Sequence, residues 1–176
     1  MPKRRSDEAE FEEFARARTP QLYRAAWLLC GDRQQAEDLV QETLAKVWVR
    51  FRHIDNPIAY AQTTLTRTFI SGRRRRSSTE RPTADLPEAV AHAGADGTAG
   101  SDLRMSLVGA LAGLAPADRA VLVLRYLDDL SVEETAERLG VSAGAVRSRS
   151  LRALARVRPL LDGSLAAHSV KGTTHD

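Results

Sequence analysis

Between Ala36 and Phe51 the apolar residues Ala36, Leu39, Val40, Leu44, Val47, Trp48 and Phe51 recur every three or four positions, the period of a helix with one buried face. The other side of that helix carries Asp38, Gln41, Glu42 and Ala45, a polar, partly acidic ridge that its pattern alone assigns to solvent. Upstream, residues 10–29 set Phe11, Phe14, Leu22, Tyr23, Ala26 and Leu29 on an apolar side. Pro20 is expected to begin a new helix there, Gly31 to end it, and Asp32 to cap the next. Downstream, Asn56-Pro57 is a helix entry, with Asn56 as cap and Pro57 at the first position, where a missing N–H costs nothing. The helix it opens turns Ile58, Ala61, Leu65, Phe69 and Ile70 inward and gathers Arg67 and Arg73 to Arg76 toward its end.

The second half repeats the helical period with sharper boundaries. Leu103 to Leu114 reads as a short amphipathic helix, and Pro116 opens another that carries Val121, Leu122, Leu124, Arg125 and Leu127. Ser131 and Glu134 have the spacing of a capping box; Thr135, Ala136 and Leu139 continue that helix, Gly140 permits a turn, and Ser142 caps a last helix containing Val146. A small residue at 136 lets two helices cross closely, and Val141 and Val146 lock the second onto the first, so the segment predicts a helix-turn-helix.

Between these halves, residues 77–101 hold only Leu86 and Val90 as large aliphatics, too little apolar surface to offset the entropy of ordering. The predicted organisation is all-α: a helical domain over 1–76, a flexible linker over 77–101, a helix-turn-helix domain over 102–162 and a disordered tail over 163–176. The low aromatic content, 5% of 176 residues, argues against sandwiches and barrels. The single cysteine, Cys30, forms no internal disulfide, and no apolar run reads as a signal peptide or a membrane span, so a cytoplasmic protein of a reducing compartment without membrane insertion is expected.

A net charge of +3 decides little, but its distribution does. Ala59 to Arg76 carries five arginines and no acid, and Ser142 to Arg158 repeats that count. Cations at a helix end complement its dipole, and a solvated tail is another ordinary reading of the run Arg73, Arg74, Arg75 and Arg76; four in a row exceed what capping requires and point to phosphate contact. In the last helix, with Val146, Ala153 and Val157 inward, Arg147, Ser148, Leu151 and Arg152 fall on or near the open face, where arginine can bond guanine and leucine can meet a thymine methyl. Arg149 and Arg156 suit phosphates. No Ser/His/Asp set, paired catalytic carboxylates, metal motif or glycine-rich phosphate loop stands at a recognisable spacing, and His53 has no partners at metal-ligand spacing, so no catalytic residue, metal site or cofactor is expected.

The motifs GDRQQAEDLVQETLAKVW, ISGRRRR and LAPADRAVLVLRYLDDLSVEETAERLGVSAGAVRSR together resemble, over about residues 10–160, bacterial alternative sigma factors of the extracytoplasmic-function type, close to the SigE-like actinobacterial group. The resemblance implies a stress-responsive initiation factor that gives RNA polymerase core its promoter specificity. It also implies partners: the beta-prime clamp helices of the polymerase, promoter DNA and an anti-sigma protein. It recasts Asp38, Gln41 and Glu42 as the polymerase-binding surface. It places minus-ten DNA on Phe51, His53, Asn56, Tyr60, Arg67 and Arg73 to Arg76, with an unpaired base received by the loop between the two long helices. Phe51, His53, Asp55, Asn56 and Tyr60 supply the aromatic surface and edge-reading groups such a base needs, although core packing suits Phe51 and Tyr60 equally. Minus-thirty-five DNA falls to Ser142, Arg147, Ser148, Arg149, Leu151 and Arg152. The chain departs from the related group at Arg67, where asparagine is usual, at Gly72, where tryptophan often precedes the arginines, and at Leu151, often polar or aromatic, so promoter sequence preferences do not transfer. A polymerase-independent helix-turn-helix repressor or activator, with the first domain sensing a signal or dimerising, is the competing reading.

Overall fold

The computed structural model describes the backbone of residues 2–79 and 99–171 and the side chains of 7–75 and 103–162. The chain divides into two compact units, one ending at Thr79 and the other beyond it. The described residues form seven α-helices and no strand, as the all-helical expectation requires. Most of the expected linker lies outside the described residues, and its ends are helical rather than loose.

In the first unit α1 (Pro2–Cys30), α2 (Arg33–Arg50) and α3 (Pro57–Thr79) pack against one another. Leu22, Ala26 and Leu29 of α1, Ala36, Leu39, Val40 and Val47 of α2, and Ala61, Leu65 and Phe69 of α3 are buried. Two expectations fail here. Pro20 begins no helix but sits within α1, and beside it the Thr19 hydroxyl donates to the Ala15 carbonyl (2.7 Å) and Arg24 Nε to that of Pro20 (3.3 Å). Trp48, placed on the buried stripe by its spacing, stays 45% exposed, whereas Thr43 is fully buried on α2 along with Ala36 and Val47, its hydroxyl donating to Leu39 O at 2.7 Å and so going inside satisfied. Trp48 is instead the open edge of an aromatic cluster, with Phe11 4.9 Å from it and Phe51 5.3 Å from Phe11.

Asp32 caps α2 by accepting from Gln35 N (2.8 Å), after Gly31 has turned the chain at φ 73°. Asn56 caps α3 by accepting from Ala59 N (3.0 Å). Between α2 and α3 runs a single 3-10 turn, Phe51–His53.

The second unit holds α4 (Ala99–Ala112), α5 (Pro116–Leu122), α6 (Val132–Leu139) and α7 (Ala143–Lys171), with α4, α5 and α6 all packed on α7. Val121, Ala136 and Val146 make the contact among α5, α6 and α7, flanked by Val132, Leu139, Val141 and Ala143. After α5 the backbone widens into a π-type turn, Val123–Leu127, and Asp129 takes a positive φ of 53°, tolerable for an aspartate, before α6 begins. Arg119 is buried, 5% exposed, and donates to the carbonyls of Ala112 (2.7 Å) and Leu114 (3.1 Å), which closes the α4–α5 connection. A charged residue inside an apolar run gives no hint of that role.

The expected tail over 163–176 is overturned in part. Helix α7 passes through Pro159, which the periodicity gave no reason to expect, and runs to Lys171; residues 172–176 lie outside the described residues.

Leu65 is 1% exposed at the centre of the first unit. Leu65→Ala should destabilise that unit by about 2–5 kcal/mol through lost transfer energy and the cavity left behind. Urea unfolding followed by tryptophan fluorescence checks this, since both tryptophans, Trp27 and Trp48, belong to the same unit. A midpoint unmoved from that of the wild-type chain would show that Leu65 is not core.

Candidate polymerase and DNA interfaces

The helix-turn-helix is built from local rules that all agree. Ser131 Oγ accepts from Glu134 N (3.1 Å), and Glu134 Oε2 accepts from Ser131 N (2.7 Å), a complete capping box. Gly140 ends α6 at φ 66°, a left-handed conformation that a Cβ would strain, and Val141 N donates to Ala136 O at 3.0 Å. Ser142 Oγ then accepts from Ala145 N at 3.1 Å, so Ser142, expected among the DNA-contacting residues, is engaged as the cap of α7.

With Val146, Ala153 and Val157 buried, α7 turns Arg147, Ser148, Leu151 and Arg152 outward as its spacing predicts, and Leu151 is 71% exposed with no apolar partner required by the fold. Arg149 is more covered. Its Nη1 lies 3.6 Å from Asp118 Oδ1 on α5, and Arg152 Nη2 reaches the same oxygen at 3.9 Å. Arg147 pairs with Glu133 of α6 at 2.9 Å, and Arg156 donates to Gly113 O at 3.3 Å. The arginines of this surface are thus already engaged by the unit's own acids and carbonyls, which no pattern along α7 reveals.

On the first unit Asp38, Gln41 and Glu42 are all exposed along α2. Asp38 accepts from Gln34 Nε2 (3.2 Å), and Glu42 accepts from Lys46 Nζ (2.7 Å), which also donates to Thr68 Oγ1 of α3 (3.0 Å). Lys46, absent from the sequence reading, therefore ties the ridge to the neighbouring helix. Asp38 and Glu42 form one wall of a groove of about 320 Å³ whose other wall holds Thr68, Gly72, Arg73 and Arg75, so acid and base face each other across it.

The four-arginine run does not act as a block. Successive helical residues are rotated by about 100°, and the structure divides the run accordingly. Arg73 turns partly inward, stacks over Phe69 (5.8 Å) and donates to the last carbonyl of α1, that of Cys30, at 3.3 Å, whereas Arg67, Arg74 and Arg75 are exposed. The Arg76 side chain lies outside the described residues.

In the loop, His53, Asp55 and Asn56 are exposed and Tyr60 is half-buried. Phe51 is half-buried against Phe11 and Phe14, the packing alternative of the sequence reading. An open hollow of about 440 Å³ lies beside the loop, walled by Asp55, Asn56, Pro57 and Ile58 on one side and by Phe14 and Arg18 among others of α1 on the other. Phe14 and Arg18 were missed because only tertiary contact brings α1 to this loop. Such a hollow combines a ring face with polar edges, the requirement for holding an unstacked base. Among the described residues no cluster of histidine, cysteine and acid could hold a metal, and no helix is long and apolar enough to cross a membrane.

Residues 14–79 match the family model of sigma-70 region 2, and residues 110–159 that of sigma-70 region 4. The RNA polymerase sigma-E factor of Streptomyces coelicolor is 40% identical over 152 residues, spanning 85% of this chain and 84% of its own. That of Streptomyces avermitilis is 41% identical over 158 residues, 87% and 86%. The ECF RNA polymerase sigma factor SigE of Mycolicibacterium smegmatis is 34% identical over 175 residues, 90% of this chain and 63% of its own. Among solved structures, the sigma factor RpoE of Bartonella quintana, in complex with the anti-sigma factor NepR, superposes with a TM-score of 0.66 at 26% identity over 87% of this chain and 97% of that one.

The capping box makes a pH prediction. The backbone hydrogen bond from Ser131, and next the Ser131 hydroxyl, hold the Glu134 carboxyl below its ordinary value of 4.5; burial opposes them weakly and Arg138 assists. A carboxyl depressed in the folded state stabilises α6 fully above its ordinary value and loses that contribution as pH falls through the folded one. An NMR titration of Glu134 should therefore show a midpoint below 4.5 that rises toward it in Ser131→Ala. An identical midpoint in both proteins would remove the Ser131 hydroxyl as a cause and leave the backbone hydrogen bond from residue 131 to account for the depression.

Proposed function

The chain belongs to the sigma-70 family, and from that premise we propose how its two helical units divide the work of transcription initiation. It is an alternative sigma factor: it directs RNA polymerase to initiate at promoters, and its partners are the polymerase and promoter DNA. The assignment of residues to these partners is our reading. Asp38, Gln41 and Glu42 on α2 grip the beta-prime clamp helices of the polymerase core, a role supported by their exposure along one line of the helix. Arg67, Arg74, Arg75 and Arg76 hold phosphates of the minus-ten element, Arg73 acting mainly as the tie between α3 and the end of α1. His53, Asn56, Tyr60 and Phe51 receive an unpaired base of the opened strand at the loop; of these Asn56 lines the hollow, beside Phe14 and Arg18. In the second unit Arg147, Ser148, Leu151 and Arg152 read minus-thirty-five base edges, and Arg149 meets phosphate.

The single observation that carries this division is the outward presentation of Leu151 between Arg147 and Arg152 on the second helix of a fully capped helix-turn-helix, an apolar and cationic surface the fold itself leaves uncovered. Strand opening draws on binding energy and not on nucleotide hydrolysis, so the chain is no enzyme, and it works in the cytoplasm. The Bartonella sigma factor is held by an anti-sigma factor. We extend that mode of control to this chain, whose DNA- and polymerase-facing surfaces a protein of the same kind would cover.

Pull-down with RNA polymerase core followed by run-off transcription on genomic fragments tests the division. Charge reversal of Asp38 and Glu42 together should abolish both capture and transcripts. Arg147→Ala with Arg152→Ala should leave capture intact and weaken promoter-dependent transcription roughly tenfold or more, at about 1–3 kcal/mol for each lost base contact. Transcription unchanged by the charge reversal would refute the assignment on α2 and favour a polymerase-independent regulator. The chain alone should bind promoter duplex weakly, because each small unit holds only part of the promoter without the polymerase to combine them; a tight, sequence-specific footprint by the isolated protein contradicts this.

A further inference from the structure

We propose that Asp118 is a positioning residue that holds Arg149 and Arg152 in the place of a DNA phosphate and surrenders them on binding, and so limits how strongly the second unit holds any duplex. The inference rests on α7 being the DNA-facing helix. Arg149 and Arg152 stand three residues apart, on neighbouring positions of one helical face, where two guanidinium groups repel. A single carboxylate oxygen of Asp118 lies between them, 3.6 Å from one and 3.9 Å from the other. Both distances exceed those of a formed hydrogen bond, so attraction of charge alone holds the cluster, and little directional bonding is lost when it opens.

Burial separates this cluster from the other ion pair on the same surface. The Asp118 side chain is 16% exposed, whereas Glu133 and Arg147 are 68% and 60% exposed and are screened by water. Asp118 therefore retains most of its influence in salt. Of its two arginines, Arg149 is the more covered and Arg152, 67% exposed, is free to swing outward. A backbone phosphate offers the same charge as the carboxylate with geometry suited to a guanidinium, so it can replace Asp118 at Arg149 without a new kind of contact, while Arg152, once released, reaches a base edge. Every duplex, promoter or not, must first draw these arginines from the carboxylate, which lowers affinity across all sequences and suppresses occupation of non-promoter DNA.

The test uses holoenzyme reconstituted from the full chain and polymerase core. The probes are a promoter duplex recovered by run-off transcription and a non-promoter duplex of equal length, each titrated over a series of KCl concentrations. Asp118→Asn keeps the shape and removes the charge, and Asp118→Ser is a second variant should the first disturb packing, with helical circular dichroism confirming that each folds. Binding of both duplexes should tighten by about three- to tenfold, and the slope of log K against log salt should steepen by about one, because binding no longer sets free a carboxylate that takes up a cation as its arginines leave. In the Arg149→Ala, Arg152→Ala background the gain should vanish. Unchanged or weaker binding with an unchanged slope overturns the role of Asp118. If the double arginine variant itself binds DNA like the wild type, the placement of α7 on DNA fails instead.

Discussion

Everything these two units present to a partner follows from the rotation of a helix about its own axis, and burial of one apolar stripe sets that rotation. In α3 the stripe is Ala61, Leu65 and Phe69; in α7 it is Val146, Ala153 and Val157. Each buried valine, leucine or phenylalanine among them contributes on the order of 1.5–3 kcal/mol, more than an exposed ion pair. The core therefore decides the direction of every arginine on the helix, and the arginines adjust to it. Arg73 shows the consequence: adjacent to Arg74, it is carried partly inward and becomes a clamp on the end of α1.

A second consequence is that these basic surfaces are organised by self-pairing. Arg147, Arg149, Arg152 and Arg156 each meet an acid or a carbonyl within their own unit, and Lys46 joins Glu42 to Thr68 across two helices. With the residues assigned as proposed, binding of DNA or polymerase is an exchange of partners rather than the capture of bare charge. An exchange returns less free energy than the charge count of the sequence suggests. This suits a protein that has to select promoters through the combined hold of two small units on one large complex.

The arrangement also separates strong local order from adaptable surface. The turn between α6 and α7 rests on two serine caps, a glycine in the left-handed region and three buried side chains from three helices. It holds α7 at a definite angle, while Leu151 and Arg152 on its outer side remain exposed. The aromatic cluster of Phe11, Phe14, Trp48 and Phe51 does the same for the loop of the first unit, fixing its base and leaving His53, Asp55 and Asn56 in solvent.

The helices, their caps and the helix-turn-helix were legible in the sequence because each depends on neighbours within about four residues: Asp32, Asn56, Ser131 with Glu134, Gly140 and Ser142 stand where local hydrogen bonding or backbone geometry requires them. The outward line of Asp38, Gln41 and Glu42 was legible as a surface for the same reason, though spacing by itself left it to solvent. What the periodicity could not supply were relations between residues distant in the chain. The capture of Arg149 and Arg152 by Asp118, the burial of Arg119, the turning of Arg73 onto Cys30 and the meeting of Phe14 with the loop at Asn56 all depend on which helix lies beside which. Local periodicity establishes that a residue points away from its own core, whereas the tertiary structure alone decides what stands there to meet it, because a helix carries no record of its neighbours.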